Sequence, residues 1–306
     1  MSKNIPLTGL VAAPFSPFDS KGTLNLRLVE KLAASLATNG VAGAFVCGTT
    51  GEGLSLTTAE RMSLAQRWIS VAGDTVRIIV HVGHTSLADC RALASHAEKI
   101  GAWGIGCFAP FFFKPAHVED LVSFCAEVAA AAPSLPFYYY HIPAMTGVEI
   151  PVAQFLRAAR NRIPTLAGAK FTHENLMDYA ESAQIEDGRY DLLLGRDELL
   201  LPGLALGVGG AIGTTYNFAA PVYQKIIAAF QRGDLAGARV NQARANAMIS
   251  VLMRHGMLPA GKAIMKMIGL DCGPVRLPLR SPSDLQQSHL REDLERVGFF
   301  EFCSMR

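Results

Sequence analysis

Short apolar runs rich in β-branched, aromatic and small residues recur along the chain. Nearly all are followed by stretches whose apolar positions repeat at helical spacing. The runs cover residues 9–13, 43–47, 76–81, 104–108, 137–140, 166–171, 190–194 and 209–213, about 20 to 35 residues apart. Capping signals punctuate the helical stretches between them. Thr57 and Glu60 form a Thr-x-x-Glu capping box before a helix over 61–72. Ser86 is placed to cap 87–100, with Gly101 at its end, and Asn25 to cap 26–38, followed by Gly40.

Eight strand–helix units in series, ending near residue 230, predict an α/β protein built as a TIM (β/α)8 barrel. A doubly wound sheet is the alternative arrangement. Three further helical patterns follow at 234–253, 261–270 and 282–297, separated by Gly273-Pro274 and the Pro-containing segment 276–282. The expected division is a barrel over 1–230 that carries the active site and a helical extension over 231–306 packed on it.

Composition narrows the function. The chain has 306 residues, 50% hydrophobic and 18% charged, with a net charge of +2. Its basic residues are scattered, which argues against nucleic-acid or membrane-surface partners. No apolar stretch reaches the roughly 18 residues of a membrane span, and the start of the chain lacks a leader's apolar segment. Six cysteines show no CxxC pair, as expected of reduced thiols in a cytoplasmic protein.

In a barrel, chemistry gathers where strands end. The sixth run ends in Lys170-Phe171-Thr172 and the fifth in Tyr140. A buried cation is costly unless paired, and desolvation favours the neutral amine, which can attack a carbonyl carbon. Lys170 taken alone reads more readily as a solvated strand-end lysine, and Tyr140 alone as an ordinary strand aromatic. Together, on neighbouring strands, they offer an amine nucleophile and a phenol able to move a proton.

The second run opens into Gly48-Thr49-Thr50-Gly51-Glu52-Gly53, a loop whose backbone N–H groups and hydroxyls suit a carboxylate. After the seventh run, Asp197-Glu198 reads either as helix-start carboxylates or as acceptors for a polyhydroxylated substrate. His81 and His84 lie three apart without a carboxylate or cysteine read beside them, so no metal is expected. Gly207 to Gly210 lacks the dinucleotide spacing, and neither a P-loop nor a GxSxG elbow is present. No cofactor is expected. The Phe111-Phe112-Phe113 run reads as core or interface.

These motifs resemble the pyruvate-dependent class I aldolases, the family of N-acetylneuraminate lyase and dihydrodipicolinate synthase. The likeness extends from the 48–53 loop to 276–279 and includes 109–115, 135–144 and 262–265. It is nearer the lyases of animal type. The resemblance implies that Lys170 is the Schiff-base lysine and Tyr140 the proton-transfer residue. Thr49 and Thr50 would hold the substrate carboxylate, and Thr172, Gly195, Asp197, Glu198 and Thr214 the sugar. It implies a homotetramer without metal or organic cofactor, acting reversibly on N-acetylneuraminate. An aldolase for a 2-keto-3-deoxy sugar acid is the alternative within the family, and a non-catalytic binding protein the alternative outside it. Two positions depart from the synthases: Met145 replaces an arginine, which an apolar side chain cannot mimic, and Phe112 replaces a tyrosine lent by a neighbouring subunit.

Overall fold

A computed structural model describes residues 6–304. Residues 1–5, on which the expectation about a leader rested, lie outside the described residues. Eight parallel strands close into a barrel in sequence order: β1 Gly9–Ala12, β2 Gly43–Val46, β3 Arg77–His81, β4 Gly104–Phe108, β5 Phe137–His141, β6 Leu166–Phe171, β7 Asp191–Leu194 and β8 Gly210–Gly213. Every predicted run is a strand, within one residue at each end. β8 closes the ring by pairing along all of β1, from Gly9 opposite Gly210 to Ala12 opposite Gly213.

Alternation within the strands builds two cores. Val11, Phe45, Ile79, Tyr138, Tyr140, Leu193 and Ile212 fill the barrel. Leu10, Val46, Ile78, Val80, Phe137 and Tyr139 face the surrounding helices. At the end of the barrel where the strands begin, Asp191 accepts hydrogen bonds from Leu7 N–H (2.9 Å) and from Tyr138 O–H (3.1 Å).

β6 does not alternate regularly, and the exception determines where Lys170 points. Leu166 packs outward, and unbroken alternation would send residues 168 and 170 outward too. A bulge shifts the pairing: Phe137 sits opposite Leu166, but Tyr138 sits opposite Gly168. After it Ala169 and Phe171 face outward, and Lys170 turns into the barrel with Tyr140 directly across the ladder. The bulge demands glycine, because a Cβ on Gly168 would lie 1.8 Å from the carbonyl oxygen of Asp191.

The helices start largely where their capping residues predict. Thr57 and Glu60 form the capping box of Thr58–Ala72, and the Ser86 hydroxyl accepts from Asp89 N–H at the head of Leu87–Lys99. Asn25 does not cap its helix. The helix begins two residues later, at Leu28, and Asn25 contributes its backbone carbonyl to Leu28 N–H.

The C-terminal helices are Leu235–His255, Met257–Met267 and Asp284–Arg296, the last opened by a Ser283–Gln286 capping box. Gln242 joins the first of them to the exit of β7: its amide donates to the Asp197 carbonyl (3.3 Å), and its oxygen accepts from Leu201 N–H (2.9 Å). No helix among the described residues is long and apolar enough to cross a membrane.

Candidate active site

At the C-terminal ends of the strands lies a cavity of about 370 Å³. All nine residues singled out from the sequence line it: Thr49, Thr50, Tyr140, Lys170, Thr172, Gly195, Asp197, Glu198 and Thr214. A larger cavity of about 410 Å³, between Met257–Met267 and the segment after it, contains none of them.

Lys170 is 4% exposed. Its Nζ lies 4.1 Å from the centre of the Tyr140 ring and 4.3 Å from that of Phe45. Its close neighbours are these two ring faces, with the Asp197 carboxylate within electrostatic reach. Ring faces attract a cation weakly and give it no proton acceptor. The arrangement is an amine shielded from water, within reach of a small ligand, and able to add to a carbonyl carbon once deprotonated.

The Tyr140 hydroxyl is 3.2 Å from Thr49 Oγ1, and Thr50 Oγ1 is 2.6 Å from Thr214 Oγ1, so the loop after β2 is joined to β5 and β8. The loop is a tight turn in which Glu52 N–H bonds to the Thr49 carbonyl and Gly53 N–H to that of Gly48, both at 3.0 Å. Its amides at 52 and 53 are therefore engaged within the turn, leaving the Thr49–Thr50 stretch to face a ligand. The turn is entered by Cys47, whose φ of 60° is unusual for a residue with a side chain. His81 Nδ1, 3.1 Å from the Cys47 carbonyl, and the buried Arg61, donating to the carbonyls of His81 (2.6 Å) and Gly83 (2.9 Å), brace it from behind. Burial, and then Arg61 and Lys170 nearby, hold His81 well below the usual imidazole range.

The opposite wall is polar. Asp197 opens a 3-10 turn, Asp197–Leu199, that runs straight into the helix Leu200–Ala205, but its side chain does not cap that segment. Its Oδ2 instead accepts from the Thr215 hydroxyl (2.6 Å) and the Thr215 N–H (2.9 Å), and the Tyr223 hydroxyl lies 2.7 Å behind that of Thr215. Burial pushes the Asp197 carboxyl up to about 6, against the pull of those hydrogen bonds and of Lys170. Glu198 is paired with Arg196 at 3.3 Å, and Arg196 also meets Glu174. Among the described residues the Thr172 hydroxyl, which is buried, has no partner. A Cβ on Gly195 would lie 1.9 Å from that oxygen, which explains the glycine.

The remaining wall is formed by Met145, already marked by its departure from the synthases, together with Ile249, Met253, Met257 and Leu258 from the C-terminal helices, which the sequence did not single out. Those helical residues carry no signal beyond ordinary amphipathic spacing. Phe45 was equally hidden, being one aromatic in a strand full of apolar residues. The outlying candidates behave differently. Structure corrects the reading of His84, which has Cys90 Sγ 3.1 Å from its N–H and Asp89 3.9 Å from its ring. Among the described residues no group of three or more His, Cys, Asp or Glu could hold a metal ion. Phe111 is half-buried against Phe108, whereas Phe112 and Phe113 are 75% and 86% exposed and belong to no core.

Known proteins share this architecture and much of this sequence. N-acetylneuraminate lyase of Rattus norvegicus is 39% identical, covering 98% of this chain and 95% of that protein. The lyase of Gallus gallus is 41% identical, covering 97% and 98%. Among solved structures, the N-acetylneuraminate lyase of Proteus mirabilis superposes with a TM-score of 0.94 at 39% identity, covering 96% of this chain and all of that one. Residues 6–297 match the Dihydrodipicolinate synthetase family, and the chain belongs to that family.

Proposed function

We propose that the protein is a Schiff-base aldolase that cleaves N-acetylneuraminate reversibly to N-acetylmannosamine and pyruvate. The observation that carries this reading is the placement of Lys170: a buried amine inside the barrel mouth, directly across the ladder from Tyr140. The names of the relatives support the choice of substrate. So does Met145, which lines the cavity and offers no guanidinium for the carboxylated aldehyde of a synthase.

In the proposed cycle the open-chain substrate sets its carboxylate on Thr49 and Thr50, and the Lys170 amine adds to the C2 ketone. Loss of water gives an iminium, which accepts the electron pair of the C3–C4 bond as that bond breaks. Tyr140, as its phenolate, takes the C4 hydroxyl proton directly, or the substrate carboxylate relays it, and N-acetylmannosamine leaves. Protonation of the enamine at C3 and hydrolysis of the imine then release pyruvate. Thr49 Oγ1, 3.2 Å from the Tyr140 hydroxyl, gives the phenol a proton partner within the same chain, where Phe112 has none to lend. Thr172, Gly195, Asp197, Glu198 and Thr214 would receive the polyol, and the protein's contribution is positioning and charge stabilisation.

Comparing kcat/KM on N-acetylneuraminate and on 2-keto-3-deoxygluconate tests the substrate. The nine-carbon acid should be strongly preferred. Preference for the six-carbon acid would reassign the aldehyde while leaving the lysine chemistry in place. A homotetramer in a reducing cytoplasm completes the proposal, supported by the family resemblance, the exposed Phe112 and Phe113, and six free thiols of which five are buried.

A further inference from the structure

Glu52 belongs to the Thr49–Thr50 loop yet turns its side chain away from the cavity. Its φ is 50°, in the left-handed region, and it is buried. One carboxylate oxygen is 2.8 Å from Lys262 Nζ, and the other accepts from Arg276 N–H at 2.8 Å, from a residue 224 positions along the chain. Both charged side chains of the Glu52–Lys262 pair are nearly inaccessible to water. Lys262 Nζ also donates to the Pro274 carbonyl at 2.7 Å and lies 4.1 Å from the centre of the Phe18 ring. The Arg276 guanidinium sits 4.4 Å from the centre of that same ring and donates to the carbonyls of Gly22 and Ser55 and to Glu60.

We infer that Glu52, Lys262 and Arg276 are positioning residues: a buried clasp by which the C-terminal extension sets the loop that receives the substrate carboxylate. The inference rests on Thr49 and Thr50 being that seat. The physical case is the coupling within the turn. Glu52 N–H holds the Thr49 carbonyl, so the direction of the Glu52 side chain fixes the peptide planes that face the ligand. A buried ion pair adds little net stability compared with an apolar pair, but it specifies one arrangement sharply, and removing one member leaves a charge that must find water. Glu52 could find it only by swinging out and dragging the turn with it. Lys170 makes no contact with the clasp, and Tyr140 meets the loop only through Thr49 Oγ1, so the loss should fall chiefly on keto-acid affinity and leave imine formation at saturating pyruvate little changed.

The test follows the rate of irreversible reduction by borohydride against pyruvate concentration in the full-length protein. It compares wild type, Lys262→Met, Glu52→Gln and the double variant. Half-saturating pyruvate should rise about tenfold or more in each single variant, with the plateau rate within about threefold of wild type. The double variant should be no worse than the poorer single one, because the pair acts as a unit. A folded Lys262→Met protein with unshifted half-saturation overturns the inference, as do additive losses in the double variant. Should Lys262→Met fail to fold, Glu52→Gln, which preserves shape and the acceptor for Arg276 N–H, decides alone by the same criterion. Absence of trapping in wild type would overturn the Schiff-base reading and the clasp together, whereas trapping with unshifted half-saturation overturns only the clasp.

Discussion

Among single residues, the groups proposed to react, Lys170 and Tyr140, are distinct from those that hold the site in place. Lys170→Ala should reduce cleavage to background, and Tyr140→Phe should lower kcat about 10²- to 10⁴-fold while imine formation stays measurable by reduction. Full turnover in either variant would remove that residue from the mechanism. Asp197 gives a pH prediction. In the proposed role of receiving sugar hydroxyls, its carboxyl, raised to about 6 by burial, accepts them more strongly when ionised. The ionised fraction falls as pH drops through that value, so kcat/KM should decline on the acid side with an apparent pKa near 6. Asp197→Asn, already neutral, should show a lower but flat profile there, and a pH–rate series on both proteins checks it. Much at this scale was legible in the sequence, since a strand-end lysine, a strand-end tyrosine and a Thr-Thr turn are local patterns. Thr215 and Tyr223, which hold Asp197, were not: nothing in the sequence shows which neighbour receives a carboxylate.

At the scale of elements, the bulge in β6 does the most for function. The order Leu166-Ala-Gly-Ala-Lys170 fits a strand with Lys170 on either face, because small residues tolerate both environments. Only pairing with β5 reveals the extra residue that sends the amine inward. Gly168→Ala should destabilise the fold by about 1–3 kcal/mol through the clash with Asp191. Gly209→Ala, whose Cβ would meet only the Thr8 methyl at 3.8 Å, should be close to neutral. Denaturant midpoints of the two variants make the comparison, and equal midpoints would contradict the packing account. The helix Thr58–Ala72 offers a second check. Its capping-box Glu60 is held down to about 2 by the Arg276 guanidinium, from an ordinary value of 4.5. A depressed carboxyl stabilises the fold above its unfolded pKa and loses that contribution as pH falls from about 4.5 towards 2. Glu60→Gln should therefore lower stability at pH 7 by about 1–3 kcal/mol and narrow the gap to wild type towards pH 2. Thermal melts across that range test the sign. The capping box was readable from four consecutive residues, whereas its tie to Arg276 spans most of the chain and was not.

At the scale of the whole molecule, the eight-fold rhythm of apolar runs sufficed for the barrel because each unit repeats one local solution: a buried strand, then a capped amphipathic helix. The role of the C-terminal segment was less visible. Its helices read as a covering layer, yet they supply Ile249, Met253, Met257 and Leu258 to the cavity and, by the inference above, the clasp on the carboxylate loop. We propose that the C-terminal helices form an integral part of the site, and a single calorimetric unfolding transition for the full chain is expected. Two separated transitions would mean that barrel and extension fold independently. The most direct measurement of the central claim is intact-protein mass spectrometry, with peptide mapping, after incubation with pyruvate and borohydride. The account predicts one reduced pyruvyl adduct per chain, located on Lys170 and absent from Lys170→Ala. An adduct on a different lysine, or an unmodified protein that nonetheless cleaves its substrate, would contradict it.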